Sequence, residues 1–294
     1  MHQQTPSQQQ GFGLLVFVIV IAIVAFSLVL GYSSIMVRQQ HNSLAASQKA
    51  YLAESVALVA KAWRFSAYAI DHTGANATTA QDVLTLSGAR MRYGVRAVLS
   101  RPLIDMTSNT SYRNFVMYLP TPDDEASPFD EASFVSTGEV AACTGAGCDE
   151  RLLATFSSLH VERELAAETS ARLDRIAAKA QAYFRARMSQ DPERNISVNY
   201  FRRPSGSCVV GPLDLGCLDA YESLTEAAAG GGVAATRVAQ ILGLGSQELL
   251  NGWGLPMEAS NLLESSTAEP PFTMAFRTRT PTGAVLKILA IQAL

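Results

Sequence analysis

From Phe12 to Leu30 the chain reads FGLLVFVIVIAIVAFSLVL, nineteen positions without one charge, and no charged residue follows until Arg38. An amphipathic helix keeps one face polar; here every face is apolar, which suits lipid better than the interior of a soluble domain. At 1.5 Å per residue the run spans about 28 Å, close to the hydrocarbon thickness of a bilayer. Beyond it the period changes. Leu52, Val56, Val59 and Trp63 fall at i, i+4, i+7 and i+11, a single apolar stripe. No Pro lies between Pro6 and Pro102 and no Gly between Gly31 and Gly74, so nothing obliges a break. One helix from Phe12 to about Ala69 would be roughly 85 Å long, half in lipid and half packed on a folded head. A membrane helix followed by a separate soluble helix fits the same pattern.

Farther on, the alternation of residues 90–99 predicts a half-buried strand. Met91, Tyr93, Val95, Ala97 and Leu99 face one way, Arg90, Arg92 and Arg96 the other. Asp105 to Ser111 reads as a turn and Asn114 to Leu119 as the partner strand. The segment 121–131, TPDDEASPFDE, carries five carboxylates without EF-hand spacing, so a solvated acidic loop is favoured over a calcium site. A second helix shows in the stripe Leu173, Ile176, Ala177, Ala180 and Phe184, ending before Asp191-Pro192. A Cys-bearing loop, a turn at Gly230 to Gly232 and a short helix near Ala235 to Leu242 follow. Phe272, Met274 and Phe276 then alternate with Thr273, Ala275 and Arg277. Pro281-Thr282-Gly283 supplies a turn into the nearly continuous apolar run Ala284 to Leu294. This predicts a terminal hairpin whose last strand is buried on both faces. The helix-then-hairpin order occurs twice, which raises an internal duplication, although no residue-level repeat is visible.

With 294 residues, 48% of them hydrophobic, the chain can build one or two real cores. A net charge of −3 leaves no electrostatic footprint for nucleic acid, and four His and four Cys are too sparse for a haem-rich or multi-metal protein. No nucleophile elbow, Walker A loop, H-E-x-x-H or G-x-G-x-x-G is present. His2 and His41 flank the apolar run. His72 stands where the long helix should end, a common favourable placement for that side chain. His160 lies beside Glu162 and Glu164 on what reads as a charged, solvated helix face. Nothing nominates a catalytic group, a cofactor or a metal site, and the chain is not expected to be an enzyme.

The start of the apolar run is more specific. A cleaved secretory signal wants a basic leader and a shorter core. Met1 to Gln10 contains no Lys or Arg, which leaves a cut near Ala25-Phe26-Ser27 as a lesser alternative. The leader ends Ser7-Gln8-Gln9-Gln10-Gly11 and Phe12 opens the apolar run. This junction resembles the N-terminus of a type IV pilin or type II secretion pseudopilin. The resemblance implies cleavage between Gly11 and Phe12 by a prepilin peptidase and methylation of Phe12. Val16 stands where the family usually has Glu, and the leader lacks the customary basic residues. In the family that Glu pairs with a neighbour's N-terminal amine inside the bilayer, where an unpaired charge is costly. A subunit with Val16 cannot supply it, which suits a special place such as a filament tip. Arg38 and Lys49 follow the span and no Lys or Arg precedes it. That asymmetry alone would hold the C-terminal part inside, but long domains translocate largely regardless.

The C-terminal end carries the same resemblance. The helix ARLDRIAAKAQAYF, the loop from Cys208 to Cys217, LGLGSQELLNGWGLP and a hairpin follow in that order. Many pilin-like proteins place a turn of the type Asp-Gly/Ala-Trp-Gly-x-Pro before their last strands. Here Asn251 replaces the Asp, beside Gly252, Trp253, Gly254 and Pro256. Two glycines around one Trp allow a tight turn while the indole is buried as an anchor, a mark of architecture rather than chemistry.

The implied organisation is a leader (1–11), a transmembrane helix (12–37), its amphipathic continuation (38–74), an inserted α/β lobe (75–160) and a pilin-like α+β head (161–294). The fold class is α+β, a long N-terminal helix packed on an antiparallel sheet head. Cys143 and Cys148 lie in CTGAGC, Cys208 and Cys217 in CVVGPLDLGC. Short Gly-bearing loops favour the two local disulfides in an oxidising space, with other pairings, a four-Cys zinc site or free thiols as alternatives. The expected function is that of a minor pilin-like or pseudopilin-like subunit. It would assemble into, or prime, a type IV pilus or related secretion filament at the inner membrane, with its C-terminal domain in the periplasm or the extracellular filament. Its partners would be the membrane, other such subunits, the inner-membrane assembly platform and a prepilin peptidase. The alternative is a single-pass, membrane-anchored periplasmic binding or envelope protein that is not processed.

Overall fold

The computed structural model describes residues 7–66, 78–92, 94–120, 129–140, 153–201, 220–225, 233–260 and 270–292. Helix α1 runs unbroken from Ser7 to Ser66, 60 residues and roughly 90 Å, so the apolar run and the amphipathic stretch are one rod. Its inner half buries Leu52, Ser55, Val59 and Trp63, with Val56 at the margin. Helix α2 (Ala80–Ser87) lies against it, started by a reciprocal cap between Thr79 and Asp82 and ended by Gly88 in the left-handed region.

Three strands form the first sheet in the order β1 (Arg96–Leu99), β4 (Asn114–Tyr118), β5 (Leu153–Ser157), all antiparallel. Strand β1 is shorter than the alternation of residues 90–99 suggests. Gly94 takes φ +69 and the Val95 N–H donates to the Arg92 carbonyl at 3.1 Å, a turn that ends the extended run. Met91 is consequently exposed, and Tyr93 is outside the described residues. The stretch 105–111 is more than a turn. Strands β2 (Leu103–Asp105) and β3 (Thr110–Tyr112) form a small hairpin inserted between β1 and β4. Of the acidic segment, Asp130 and Glu131 are described, and both serve the N-terminus of helix α3 (Glu131–Thr137). Asp130 accepts from the Ala132 and Ser133 N–H groups. Residues 121–128 and Gly230 to Gly232 are outside the described residues.

Helix α4 (Leu159–Gln190, 32 residues) follows β5 directly. After it come β6 (Glu222–Ser223), α5 (Val233–Ile241), a 3-10 turn at Ser246–Glu248, β7 (Glu258–Ser260), β8 (Thr273–Arg279) and β9 (Val285–Ile291). The second sheet has the order β6-β7-β8-β9, all antiparallel, with β8 paired to β9 from Thr273↔Ile291 to Arg279↔Val285. The strand buried on both faces is β8, where Met274, Ala275 and Phe276 are inaccessible, and not the last one. Strand β9 ends the sheet. Leu286, Ile288 and Ala290 turn inward, while Val285, Lys287 and Ile291 face out. The two sheets differ in strand order, so the two hairpins are not copies of one unit.

Helix α4 belongs to two cores. Its first turns place Leu165 among Leu52, Val59, Trp63, Phe115 and Trp253. Its later turns place Leu173, Ile176, Ala180 and Phe184 among Met257, Met274, Phe276 and Ala290. The expected division at 160/161 thus falls within the first turn of the helix that joins the lobes. The molecule is an α+β structure with a long N-terminal apolar helix and antiparallel sheets.

Candidate functional site

Two features carry functional content: the outer half of α1 and the joint that holds its inner half. Among the described residues α1 is long and apolar enough to cross a membrane. From Phe17 to Val37 its side chains are exposed on every face. The serine hydroxyls within this stretch are satisfied by the helix itself: Ser27 donates to the Ile23 carbonyl at 2.8 Å, Ser33 to Leu30 at 2.9 Å, and Ser34 to Gly31 at 2.8 Å. Apart from the exposed Tyr32 phenol, a hydrocarbon solvent therefore meets apolar side chains and paired backbone, the condition lipid imposes on a spanning segment. Gly11, Phe12 and Val16 lie within α1, and their side chains are outside the described residues.

The joint is built around Glu162, in the first turns of α4 and 1% exposed. The Trp63 indole N–H donates to Glu162 Oε1 at 2.8 Å and the Trp253 indole N–H to Oε2 at 2.7 Å. The chain has two tryptophans, and both end on this carboxylate. Burial raises the carboxyl above its ordinary value, outweighing the two indole hydrogen bonds, which pull it down. The position near the helix N-terminus favours the ionised form through the dipole.

Trp253 reaches Glu162 because the segment from Asn251 to Pro256 folds as a tight turn on α4. Asn251, buried, accepts at Oδ1 from the Trp253 and Leu255 N–H groups, both at 2.9 Å. Its side-chain amide donates to Thr278 Oγ1 at 3.0 Å and to the Arg279 carbonyl at 2.8 Å. Gly254 takes φ +81, which a side chain would strain. Gly252 is needed for space: a Cβ there would stand 2.4 Å from the Leu165 carbonyl oxygen. Its N–H instead donates to Thr169 Oγ1 at 2.8 Å. Arg172 adds bonds to the Leu250 and Asn251 carbonyls at 2.7 and 3.1 Å, and Lys179 reaches Glu248 at 2.7 Å. The structure thus brings the turn residues together with Trp63 of the long helix. The sequence motif marked one half of this contact and the α1 stripe the other.

Glu162 was missed, read with Glu164 as part of a solvated face. His160 and Glu164 are on that face, 3.0 Å apart, with the His160 side chain 84% exposed. Glu162 instead heads the stripe 162, 165, 169, 173, 176, 180, 184, and extending the apolar pattern backwards through Thr169 and Leu165 would have found it. Cys143, Cys148, Cys208 and Cys217, with His2 and His72, are outside the described residues. His41 lies on α1, exposed. Among the described residues no three His, Cys, Asp or Glu side chains converge as a metal site would require. The geometry of the joint is that of a fastening: one acceptor group ties a helix, a turn and a second helix. No family model matches the chain, nor does any curated protein or solved structure.

Proposed function

We propose that this chain is a minor pilin-like or pseudopilin-like subunit, held in the inner membrane by the outer half of α1 and incorporated into, or priming, a type IV pilus or related secretion filament. The observation that supports it is the continuity of α1. A single rod leaves its first part exposed and apolar on all faces and buries its second part in the head. Such a rod has two uses with one surface. In the bilayer it contacts lipid, and in a filament it contacts the same region of other subunits, where removal of apolar area contributes roughly 25 cal/mol per Å². Gly11-Phe12 at the start of the apolar run is the sequence feature that favours processing, and Val16 favours a tip or priming position over a repeating one.

The partners in this reading are other pilin-like subunits, the assembly platform and the prepilin peptidase, and the head lies in the periplasm or on the filament. Intact mass and N-terminal sequencing of protein purified from membranes, with and without reductant, tests it. A start at Phe12 with an added methyl group is the expected result. A start at Met1 would overturn processing and leave a single-pass anchored envelope protein; a start near Leu28 would make the head a secreted domain. A mass four protons lower before reduction is expected for Cys143–Cys148 and Cys208–Cys217.

A further inference from the structure

The net charge is −3, yet no Asp or Glu precedes Glu54 and none lies between Asp82 and Asp105. These two acid-free stretches meet in the fold. The Tyr51 hydroxyl donates to the Arg90 carbonyl and accepts from the Arg92 N–H at 3.0 Å, which pins residues 90–92 to the rod. Leu52 is the first of the rod's described side chains to be buried, so this is the end of the head nearest the apolar run. Arg90 and Arg92 are exposed there, and Leu86 and Met91, also exposed, add apolar surface to the same segment. Nearer the span, the rod carries charge on the same side. Arg38 and Lys49, both exposed, precede Leu52 by 14 and 3 residues. At about 100° per residue they lie within about 60° of Leu52, on the side of the buried stripe that continues through Val59 and Trp63. Glu54 points about 160° away from Leu52. A basic face therefore runs from the edge of the apolar run up the head's side of the rod and onto the head itself.

We propose that this face binds the headgroups of anionic phospholipids and leans the head onto the bilayer that α1 spans. The proposal rests on the anchoring part of the function given above and is independent of filament assembly. From Val37 to Tyr51 the rod rises about 21 Å, and headgroups fill about 5–8 Å of that height. An upright rod holds Arg38 among the headgroups and leaves Arg90 and Arg92 above them. Spanning helices tilt by roughly 0–40°, and interfacial cations are among the groups that set the angle. A tilt toward the head lowers the side that bears Lys49, Arg90 and Arg92, and their attraction to anionic headgroups favours it. The long stems of Arg38 and Lys49 lie along the rod while their charged ends reach the lipid. Leu86 and Met91 then meet the interface and not open water. An acidic protein surface has the same sign as anionic lipid. The bilayer is favoured because the basic face begins where the apolar run ends, so its first cation is already at headgroup level once α1 is inserted.

The test uses the full chain in nanodiscs of phosphatidylcholine, with or without phosphatidylglycerol, and reads backbone hydrogen exchange of residues 86–92 by mass spectrometry. Exchange is expected to slow by roughly fivefold or more when phosphatidylglycerol is present, a change that one cation close to an anionic surface already supplies. It is expected to return to the phosphatidylcholine rate in 1 M salt, where the screening length falls to about 3 Å. Arg90→Gln combined with Arg92→Gln alters two exposed side chains. That double variant is expected to insert and melt like the wild type and to lose most of the lipid-dependent slowing. Equal exchange in the two lipids, or slowing that the double variant retains in full, overturns the proposal and leaves the anchor intact. Soluble polyglutamate that slows exchange on phosphatidylcholine nanodiscs as much as phosphatidylglycerol does also overturns it, and assigns the face to an acidic protein. A chain that does not enter nanodiscs at all overturns the anchor, and the proposal falls with it.

Discussion

Along the outer half of α1, Phe26 and Leu28 are 66% and 68% exposed, whereas in the inner half Leu52 and Trp63 are 1% exposed. Both halves belong to one uninterrupted helix. What separates them is arrangement: apolar side chains on all faces in one, on a single stripe in the other. The first arrangement has no orientation to offer a protein surface and is satisfied by an isotropic apolar medium. The second fixes a rotation about the helix axis, and with it the register against β4 and β5. Trp63 completes that register by bonding Glu162.

The sharpest separation of the halves comes from Trp63→Ala. Loss of a buried indole costs about 3–5 kcal/mol in lost apolar burial and cavity formation together, and one donor to Glu162 goes with it. Denaturant unfolding of the head should show this loss while the membrane-bound fraction stays the same. Val24→Arg is the converse. A central Arg raises the apparent cost of insertion by about 3 kcal/mol, so the membrane fraction should fall while the melting of the head is unchanged. If Val24→Arg unfolded the head, the two halves would not be separable and the comparison would fail.

Gly252→Ala asks whether the turn or the helix holds the joint. The new Cβ meets the Leu165 carbonyl, so the turn must lift from α4 at about 1–3 kcal/mol. A shift in the emission of Trp253 should accompany the loss of stability. Normal stability with an unmoved spectrum would show that α4 yields instead.

The smallest effect is one of pH. Glu162 is raised from an ordinary value of 4.5, so in the window just above 4.5 the folded chain holds a proton that the unfolded chain has released. Its contribution to stability is therefore largest below 4.5, falls as pH rises through the window, and is flat above it. Asp105, held down to about 2 by the Ser108 hydroxyl and Arg163, works in the opposite sense and loses its contribution only in stronger acid. Mild acidification from neutral pH should raise the melting temperature of the wild type, and Glu162→Gln should remove that slope. A wild-type slope of the opposite sign between pH 7 and 5 would refute the assignment.

How much of this could be read in advance follows from what each residue advertises. The apolar run, the α4 stripe from Leu173 to Phe184 and the turn at Asn251 to Pro256 were legible because period and glycine placement are local properties; that α1 continues unbroken was not, since two separate helices fit the same pattern. Strand β1 was overextended because alternation through Gly94 looks the same whether or not that glycine turns the chain. The burial of β8 and the exposure of Val285 and Ile291 on β9 were inverted because both strands are apolar, and only the order of pairing decides which lies at the edge. Glu162 was hidden for a different reason. A carboxylate on a helix is ordinarily solvated, and its two partners lie 99 and 91 residues away. No window of sequence contains the three together.

The position of Glu162 also has a mechanical consequence. Any tension drawn along α1 from its apolar end arrives at Trp63, close to the last turn of the rod. There it is handed to the beginning of α4, whose 32 residues run on into the packing of the second sheet. The load is thus spread along a strut and not concentrated on one loop. With the Trp63 indole bonded sideways to a carboxylate, sliding of the rod is opposed by a polar latch as well as by grease. The head would travel with its anchor as one piece.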